Sequence, residues 1–297
     1  PTLAAIFLAF VSYQALFFGT FFGFLGSAVL VVSVILPSPT ASAPRGIYER
    51  TTRGLRIYLA TPRLRGLLSL NLAAAAAGAM VLVNTVVLVR SGLGFGETEV
   101  ALALGAFGGG SMLAALLLPR LLDQRPDRPV MIAGAGVLVI TLLGLAGLSA
   151  FNGTGWYLLL AGWVVIGIGY STVLTPSGRL LKRSAHPEDR PAVYAAQFAL
   201  SHACWLVTYP LAGWLITDFG AATAFAVLAL ISITGLIGGV VLWPRGDADV
   251  VEHSHDDLAP DHPHLSGESR HAHSIIIDDN HPRWPTSRVY GAAEPDS

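Results

Sequence analysis

The chain has 297 residues, of which 53% are hydrophobic and only 12% are charged, and its mean hydropathy is +0.59. Because a soluble domain carries about 25% charged residues, this composition excludes an ordinary water-soluble domain and indicates a polytopic membrane protein. The formal net charge of −1 hides a split: residues 1–243 carry 14 basic and 8 acidic side chains, whereas residues 244–297 carry 4 and 11. The single cysteine excludes an intrachain disulfide framework.

The chain starts at Pro1 in apolar sequence and lacks the basic segment and cleavage site of a signal peptide. We therefore expect it to be the C-terminal part of a longer protein with further spans ahead of it. Residues 1–36 are predicted to hold the end of one span, at 1–11, and one full span, at 16–36, which a proline-rich stretch closes.

Residues 37–65 form a loop that contains six arginines. Ile47, Leu55, Ile57 and Tyr58 alternate with these arginines, and the pattern predicts a short amphipathic helix that lies at the membrane surface.

Six further spans occupy residues 66–243, with predicted bounds 66–89, 100–118, 130–150, 156–178, 191–217 and 221–243. The span at 191–217 contains no charged side chain, although about 20 apolar residues already suffice to cross a bilayer. The pairs Gly105/Gly109 and Gly235/Gly239 and the alanine run 73–77 predict faces where helices pack closely.

The loops between the spans alternate in positive charge. Basic side chains are abundant in every second loop, at 37–65, 119–129 and 179–190. They are nearly absent from the others, at 90–99, 151–155 and 218–220. Because basic loops remain in the cytoplasm, the first set and the tail are predicted to be cytoplasmic. Six apolar helices of a soluble core would not produce this alternation.

The loop from Pro119 to Arg128 resembles the cytoplasmic G-x-L-x-D-R-x-G-R-R loop of the major facilitator superfamily. The matching residues are Leu121, Asp123 and Arg128. The loop departs from the pattern at Pro119, Gln124 and Asp127.

Two further stretches carry the same resemblance, which covers residues 1–243. The loop 179–190 with the following residues 191–197 is similar to the cytoplasmic loop and next helix of the family's last three-helix repeat. Residues 16–37 look like the sixth helix of drug and metal efflux members. The resemblance implies a twelve-helix fold of two six-helix lobes, of which the first three helices are absent and the fourth and fifth mostly lost.

The expected fold is therefore an all-α polytopic membrane protein. Residues 1–36 would end the N-terminal lobe, 37–65 would join the lobes in the cytoplasm, 66–243 would form the six-helix C-terminal lobe, and 244–297 would be a disordered acidic, His-rich tail.

Polar side chains within the spans are candidates for a substrate or proton pathway, because transporter sites lie near the bilayer midplane. Gln197, Ser201, Cys204 and Thr208 share one helical face, and His202 lies about 100° from Ser201. The candidates are Asn71, Asn84, Tyr170, Gln197, Ser201 and His202.

His202 is the only titratable side chain in the middle of a lobe helix besides Cys204 and the tyrosines. It could exchange protons with either side of the membrane or bind a divalent metal ion. The plainer alternative is a neutral buried histidine that is hydrogen-bonded to a neighbouring helix. No Asp or Glu lies deep in the six spans, so an essential carboxylate of a proton-driven transporter would belong to the absent lobe.

Asp123, Arg125 and Arg128 are candidates for a cytoplasmic gate loop. The carboxylate can accept hydrogen bonds at a helix end, and the arginines can bridge to helix ends or lipid phosphate, which would hold one conformation of the gate. The alternative is that the arginines only anchor the loop in the cytoplasm.

The tail contains three His-x-His pairs that recur every nine residues, with aspartates between them. The candidate metal ligands are His253, His255, His262, His264, His271 and His273. Imidazoles with nearby carboxylates suit Zn²⁺, Ni²⁺ and Cu²⁺, and the tail loosely resembles those of metal efflux members. The alternative is a solvated polar tail. Ile275–Ile277 and Trp284 are predicted to dock onto the helices.

The first functional hypothesis is a secondary active transporter of the bacterial inner membrane that exports a small molecule or metal ion by proton antiport. Its partners would be the lipid bilayer, the substrate, protons and the missing N-terminal lobe, with no nucleic acid and no cofactor other than metal on the tail. The alternative is a membrane-anchored metal-binding or partner-binding module without transport. No P-loop, HExxH, nucleophile elbow or pair of buried carboxylates supports an enzyme.

Overall fold

Apolar helices make up most of the computed structural model, which describes residues 13–34, 46–151, 153–246, 250–254, 270–278, 281 and 284. The described helices are α1 (Tyr13–Ser33), α2 (Ile47–Ala60), α3 (Pro62–Val86, continued by the π-helical turn Val87–Gly92), α4 (Glu97–Gln124), α5 (Asp127–Ala150), α6 (Trp156–Leu174), α7 (Ser177–Arg183) and α8 (Arg190–Leu242). The predicted all-α polytopic fold is confirmed.

Five helical segments of the described chain are long and apolar enough to cross a membrane. The last of them, α8, has 53 residues and is interrupted at Gly220, where φ is 80° and ψ is 174°. This positive φ favours glycine. Residues 190–219 (α8N) and 221–242 (α8C) are each long enough for a span of about 20 residues. The described lobe therefore contains the six predicted spans, and the predicted turn at 218–220 falls at the interruption.

Helix α3 lies at the centre of the lobe and packs against both halves of α8. The alanines at 73–77 are at most 1% exposed. A side chain at Gly235 would begin 2.5 Å from the Ser69 carbonyl oxygen, and one at Gly239 would begin 2.5 Å from Leu70 Cδ2. The small-residue faces predicted on these two helices are therefore packing surfaces.

In the predicted Gly105/Gly109 face, Gly109 does not make the close helix contact. Gly109 is exposed, and nothing lies within 4 Å of the position that a Cβ would take there, whereas a Cβ at Gly110 would lie 2.1 Å from the Val164 carbonyl oxygen. The reciprocal contact places Gly167 of α6 equally close to the Phe107 carbonyl oxygen. One residue along a helix turns the face by about 100°, so the close approach uses the next glycine.

Helix α1 agrees with the span predicted at 16–36, while residues 1–12 lie outside the described chain. Every side chain described from Phe17 to Val34 is exposed. This helix therefore presents apolar surface on all sides.

Helix α2 is the amphipathic helix predicted in the loop, and part of its apolar side contacts protein. Ile57 and Tyr58 are buried. A Cβ at Gly54 would lie 2.0 Å from the Ala192 carbonyl oxygen, so the two backbones touch. The hydrophobic pattern predicts the helix, whereas no sequence pattern marks the glycine at its contact with α8.

The described parts of the tail differ from the disorder predicted for residues 244–297. Strands β1 (Val250–Ser254) and β2 (Arg270–Ser274) pair in antiparallel register. After β2, residues 275–278, with His281 and Trp284, lie against the helices, and we refer to these residues as the tail anchor. Ile275 and Ile277 are at most 2% exposed. The predicted docking is confirmed for Ile277 and Trp284, which pack against the hydrophobic core of the lobe.

Candidate functional site

Tyr170 of α6 lies where three helices of the lobe meet. Its Cε2 atom is 3.0 Å from the position a Cβ would take at Gly78 of α3, so a larger residue there would displace the ring. The ring of Phe107 on α4 packs edge-on against it, with centroids 5.4 Å apart. The tyrosine predicted from sequence thus packs against α3 and α4.

Helix α8N adds a row of aromatic rings with helical spacing. The centroids of Phe198 and His202 are 3.8 Å apart, those of His202 and Trp205 are 4.9 Å apart, and those of Trp205 and Tyr209 are 6.3 Å apart. Phe198 and His202 are exposed, while Trp205 and Tyr209 are half-buried. We call the six residues Phe107, Tyr170, Phe198, His202, Trp205 and Tyr209 the aromatic surface.

His202 is exposed and its ring bonds to its own helix. Its Nδ1 lies 2.7 Å from the Phe198 carbonyl oxygen. Because a carbonyl only accepts hydrogen bonds, Nδ1 carries the proton, and in the neutral ring Nε2 keeps its lone pair. The alternative of a buried histidine bonded to a neighbouring helix is wrong. Nε2 can take up a proton or bind a metal ion.

The polar face predicted on α8N divides between three environments. Thr208 is buried and donates to the Ala75 carbonyl oxygen, at 3.3 Å. Ser201 donates to the Phe198 carbonyl of its own helix, at 3.0 Å. Gln197 accepts a hydrogen bond from the Tyr58 hydroxyl of α2. Of these side chains, Ser201 lies beside the exposed His202, and Gln197 is engaged by the helix that precedes the lobe.

The two candidate asparagines of α3 are buried, and they do not belong to the aromatic surface. The Asn84 Nδ2 atom donates to the Ala212 carbonyl oxygen, at 3.0 Å, and therefore joins α3 to α8N. Asn71 is 3% exposed, and neither its amide nitrogen nor its oxygen has a hydrogen-bond partner within the described chain. Asn84 thus joins two helices, and Asn71 is a buried polar side chain whose amide makes no hydrogen bond among the described residues.

The loop at 119–128 makes contacts that differ from those expected of its acidic residue. Asp123 and Arg125 are exposed and make no polar contact with any described residue. Arg128 donates from Nε to the Trp243 carbonyl oxygen at 2.8 Å and from Nη2 to the Val240 carbonyl oxygen at 3.0 Å. Arg128 thereby binds the carbonyls at the end of α8C, which suits a cation at a helix C-terminus.

An ion pair in this region joins Asp127 and Arg179, and neither residue was predicted from sequence as a site residue. Arg179 Nε lies 3.1 Å from an oxygen of Asp127, a carboxylate in the first turn of α5 that is 5% exposed. In the sequence, Asp127 stands out only as a departure from the family motif. The available signal was an acidic residue at a helix start, a position that favours a negative charge.

Helix α2 is fixed to the lobe by further polar contacts. Arg53 donates from Nη2 to Asp189 at 2.8 Å, within a two-pronged ion pair. Arg63 is 1% exposed and donates to Ser184 Oγ at 2.9 Å. Burial, followed by the charge of Cys204, raises the pKa of Tyr58 far above its ordinary value, so its hydroxyl remains a donor. No sequence signal paired these residues.

The described residues contain no group of three or more side chains arranged to bind a metal ion. The backbone register places His253 opposite His271, and His273 lies two residues further along the same strand. His255, His262 and His264 lie outside the described chain.

The model of one protein family matches this chain. It is described as the Major Facilitator Superfamily and matches residues 67–265, about two thirds of the sequence, which includes all six spans of the lobe. Together with the apolar helices, the match identifies an integral membrane transporter. The chain belongs to the Major Facilitator Superfamily.

Proposed function

We propose that the chain supplies the C-terminal lobe of a proton-coupled exporter, which moves a small molecule or metal ion by rocking against a second lobe. The observation that carries this proposal is the aromatic surface, where an exposed histidine lies in a row of rings along the membrane helix α8N. Transporters of this type bind substrate between two lobes near the bilayer midplane.

The chemistry of the aromatic surface favours an organic substrate that is planar or positively charged. Ring faces attract cations and stack on other rings, and no carboxylate of the lobe lies deep in a span. The same surface offers a metal ion one imidazole nitrogen, Nε2 of His202. Proton coupling is assigned to His202, whose ring is exposed and whose Nε2 keeps a lone pair that can accept a proton.

The other helices of the preceding N-terminal lobe would also cover α1, whose apolar side chains are exposed from Phe17 to Val34. The family resemblance supports a preceding lobe that ends in this helix. The alternating arginine loops support an orientation with α2, the 119–129 and 179–190 loops and the tail in the cytoplasm. Drug and metal efflux members resemble the chain in α1, which supports export and a bacterial inner membrane.

A sensitivity screen with the complete gene deleted and restored tests export. Loss of the gene is expected to raise sensitivity to at least one metal ion or cationic antibiotic, and the intact gene is expected to reverse it. A His202→Ala gene is expected to leave expression unchanged and to lower pH-dependent efflux at least about a hundredfold, the lower end of the range for loss of an acid–base group. Phe219→Ala, which removes an exposed ring on the same helix outside the aromatic surface, is the matched control. Equal efflux by the His202→Ala and native proteins would remove the histidine from the mechanism.

A membrane-anchored metal-binding module remains the second candidate, supported by the tail hairpin. Opposed residues in an antiparallel pair have Cα atoms about 5 Å apart, and His253 and His271 are opposed. Titration of the purified full chain with Ni²⁺ or Zn²⁺ near pH 7.5 would detect such a site. Binding that disappears in a His253→Ala/His271→Ala protein, and at about pH 5 as imidazoles protonate, is the expected result. The absence of any heat of binding would contradict metal binding by the tail.

A further inference from the structure

Five arginines line one cavity at the end of the lobe that carries the basic loops. The cavity has a volume of about 750 Å³ and is bordered by the start of α5, the end of α7 and the residues after α8C. The arginines are Arg125, Arg128, Arg179, Arg183 and Arg245, and the one carboxylate among the lining residues is Asp127. A single carboxylate leaves this concave surface strongly positive.

Two of the five guanidinium groups are available for a ligand. Arg128 is engaged by carbonyls at the end of α8C, and Arg179 is paired with Asp127. Arg125 and Arg245 are exposed and make no polar contact with any described residue. A guanidinium presents a planar set of donors that matches the oxygens of a phosphate group. The cavity is therefore suited to a phosphate-bearing anion.

An apolar groove adjoins this cavity and favours a lipid over a free phosphate as the ligand. The groove, about 320 Å³ in volume, runs between α5 and α6 and is lined by apolar residues that include Val130, Val137 and Ile168. Arg125 and Pro129 line both the groove and the cavity. A free phosphate would occupy only the cavity, whereas an amphiphile would place its head among the arginines and an acyl chain along the groove.

We propose that this joined site binds an anionic phospholipid, with the headgroup phosphate between Arg125 and Arg245 and an acyl chain in the groove between α5 and α6. The bound lipid would tie the end of α4, the start of α5 and the end of α8C to one another. This proposal concerns a site at the basic end of the lobe and holds whether or not the aromatic surface binds the exported substrate.

Thermal unfolding of the purified full chain in mixed micelles tests the site. Added phosphatidylglycerol is expected to raise the unfolding midpoint by about 3 °C, because a ligand that binds only the folded state stabilises it. Phosphatidylcholine and soluble glycerol phosphate, at the same concentrations, are expected to have no such effect. An equal rise with glycerol phosphate would show a free-phosphate site and overturn the role of the groove, and no rise with phosphatidylglycerol would overturn the site.

Variants locate the lipid. Arg125→Gln/Arg245→Gln should abolish the rise, whereas Arg65→Gln/Arg120→Gln, which removes two exposed arginines outside the cavity, should retain it. If the first double variant does not fold, Ala133→Trp provides an independent test, because Ala133 is exposed and lines only the groove. Filling the groove should abolish the rise while all five arginines remain. A full rise in the Ala133→Trp protein, or in a folded Arg125→Gln/Arg245→Gln protein, would contradict the proposal.

Discussion

The aromatic surface and the basic end of the lobe are held together by different interactions. Around Tyr170 and His202 the described contacts are ring to ring or ring to backbone, and the row ends in exposed side chains. At the basic end, Arg53, Arg128 and Arg179 each join two separate helices or loops through charged hydrogen bonds. Ring contacts without ion pairs leave a surface that can accept a substrate, whereas charged hydrogen bonds fix helix ends.

This difference predicts which substitutions should change stability and which should change transport. A side chain that fixes helix ends contributes to stability in every conformation of the lobe. A half-exposed ring on the aromatic surface contributes little to stability and is available for binding. The two regions should therefore separate when folding and transport are measured on the same variants.

The largest expected effect is on stability, at the basic end. Arg53→Ala would remove the two-pronged ion pair to Asp189, whose side chain is 5% exposed. Removal of one member of a buried ion pair costs about 3 kcal/mol, so the thermal midpoint of the purified protein should fall clearly. Arg56→Ala, an exposed arginine on the same helix, should change stability by less than about 0.5 kcal/mol. Equal midpoints for the two variants would mean that the Arg53–Asp189 pair does not hold α2.

The next effect should appear in transport rather than in stability. Trp205→Ala removes a half-buried ring from the aromatic surface, so we expect efflux to fall about thirtyfold, which corresponds to the loss of about 2 kcal/mol at a binding hot spot. The thermal midpoint should change little. Trp214→Ala, an exposed tryptophan of α8N outside this surface, should leave efflux unchanged. If both variants lost efflux equally, the aromatic surface would not be distinguished from the rest of the helix.

The smallest effect should come from the tail anchor and depend on pH. Burial alone would raise the pKa of Asp278, but hydrogen bonds from the His281 side chain and backbone, the charge of His281 and a hydrogen bond from His186 outweigh burial and lower that pKa. A lowered carboxyl pKa adds stability above the unfolded value of about 3.9, and this stability is lost as the pH falls below that value.

Asp278→Asn should therefore lower the unfolding midpoint at pH 7 by a small amount, and the difference from the native protein should disappear between about pH 4 and pH 2. Glu188→Gln removes an exposed carboxylate from the loop that contacts the tail anchor and serves as the control. A midpoint difference that persists unchanged at acid pH would show that the Asp278 carboxylate charge does not hold the tail anchor.

The sequence was sufficient to predict the membrane-spanning helices, because hydropathy and loop charge are properties of single segments. It also identified the helix in the 37–65 loop and the apolar residues of the tail anchor. Pairings between distant segments were beyond it: Asp127 with Arg179 and Arg53 with Asp189 meet only after the helices pack. The choice of Gly110 over Gly109 depends on a rotation of about 100° per residue, which sequence alone does not specify.

Tyr170 and His202 were selected from sequence, whereas the rings beside them were not. Phe107 and Trp205 look like ordinary apolar residues of a span, and only the distances of Phe107 to Tyr170 and of Trp205 to His202 and Tyr209 show these ring contacts.

The proposed transport requires that the aromatic surface faces a water-accessible substrate pathway. This exposure can be tested by the reaction of a membrane-impermeant thiol reagent with the full chain in vesicles, using His202→Cys in a Cys204→Ser background. We expect reaction at position 202 and protection by the exported substrate, while Leu230→Cys on the exposed face of α8C remains unreactive. An unreactive position 202 in vesicles where Glu188→Cys reacts fully would place the aromatic surface in lipid and rule out this pathway.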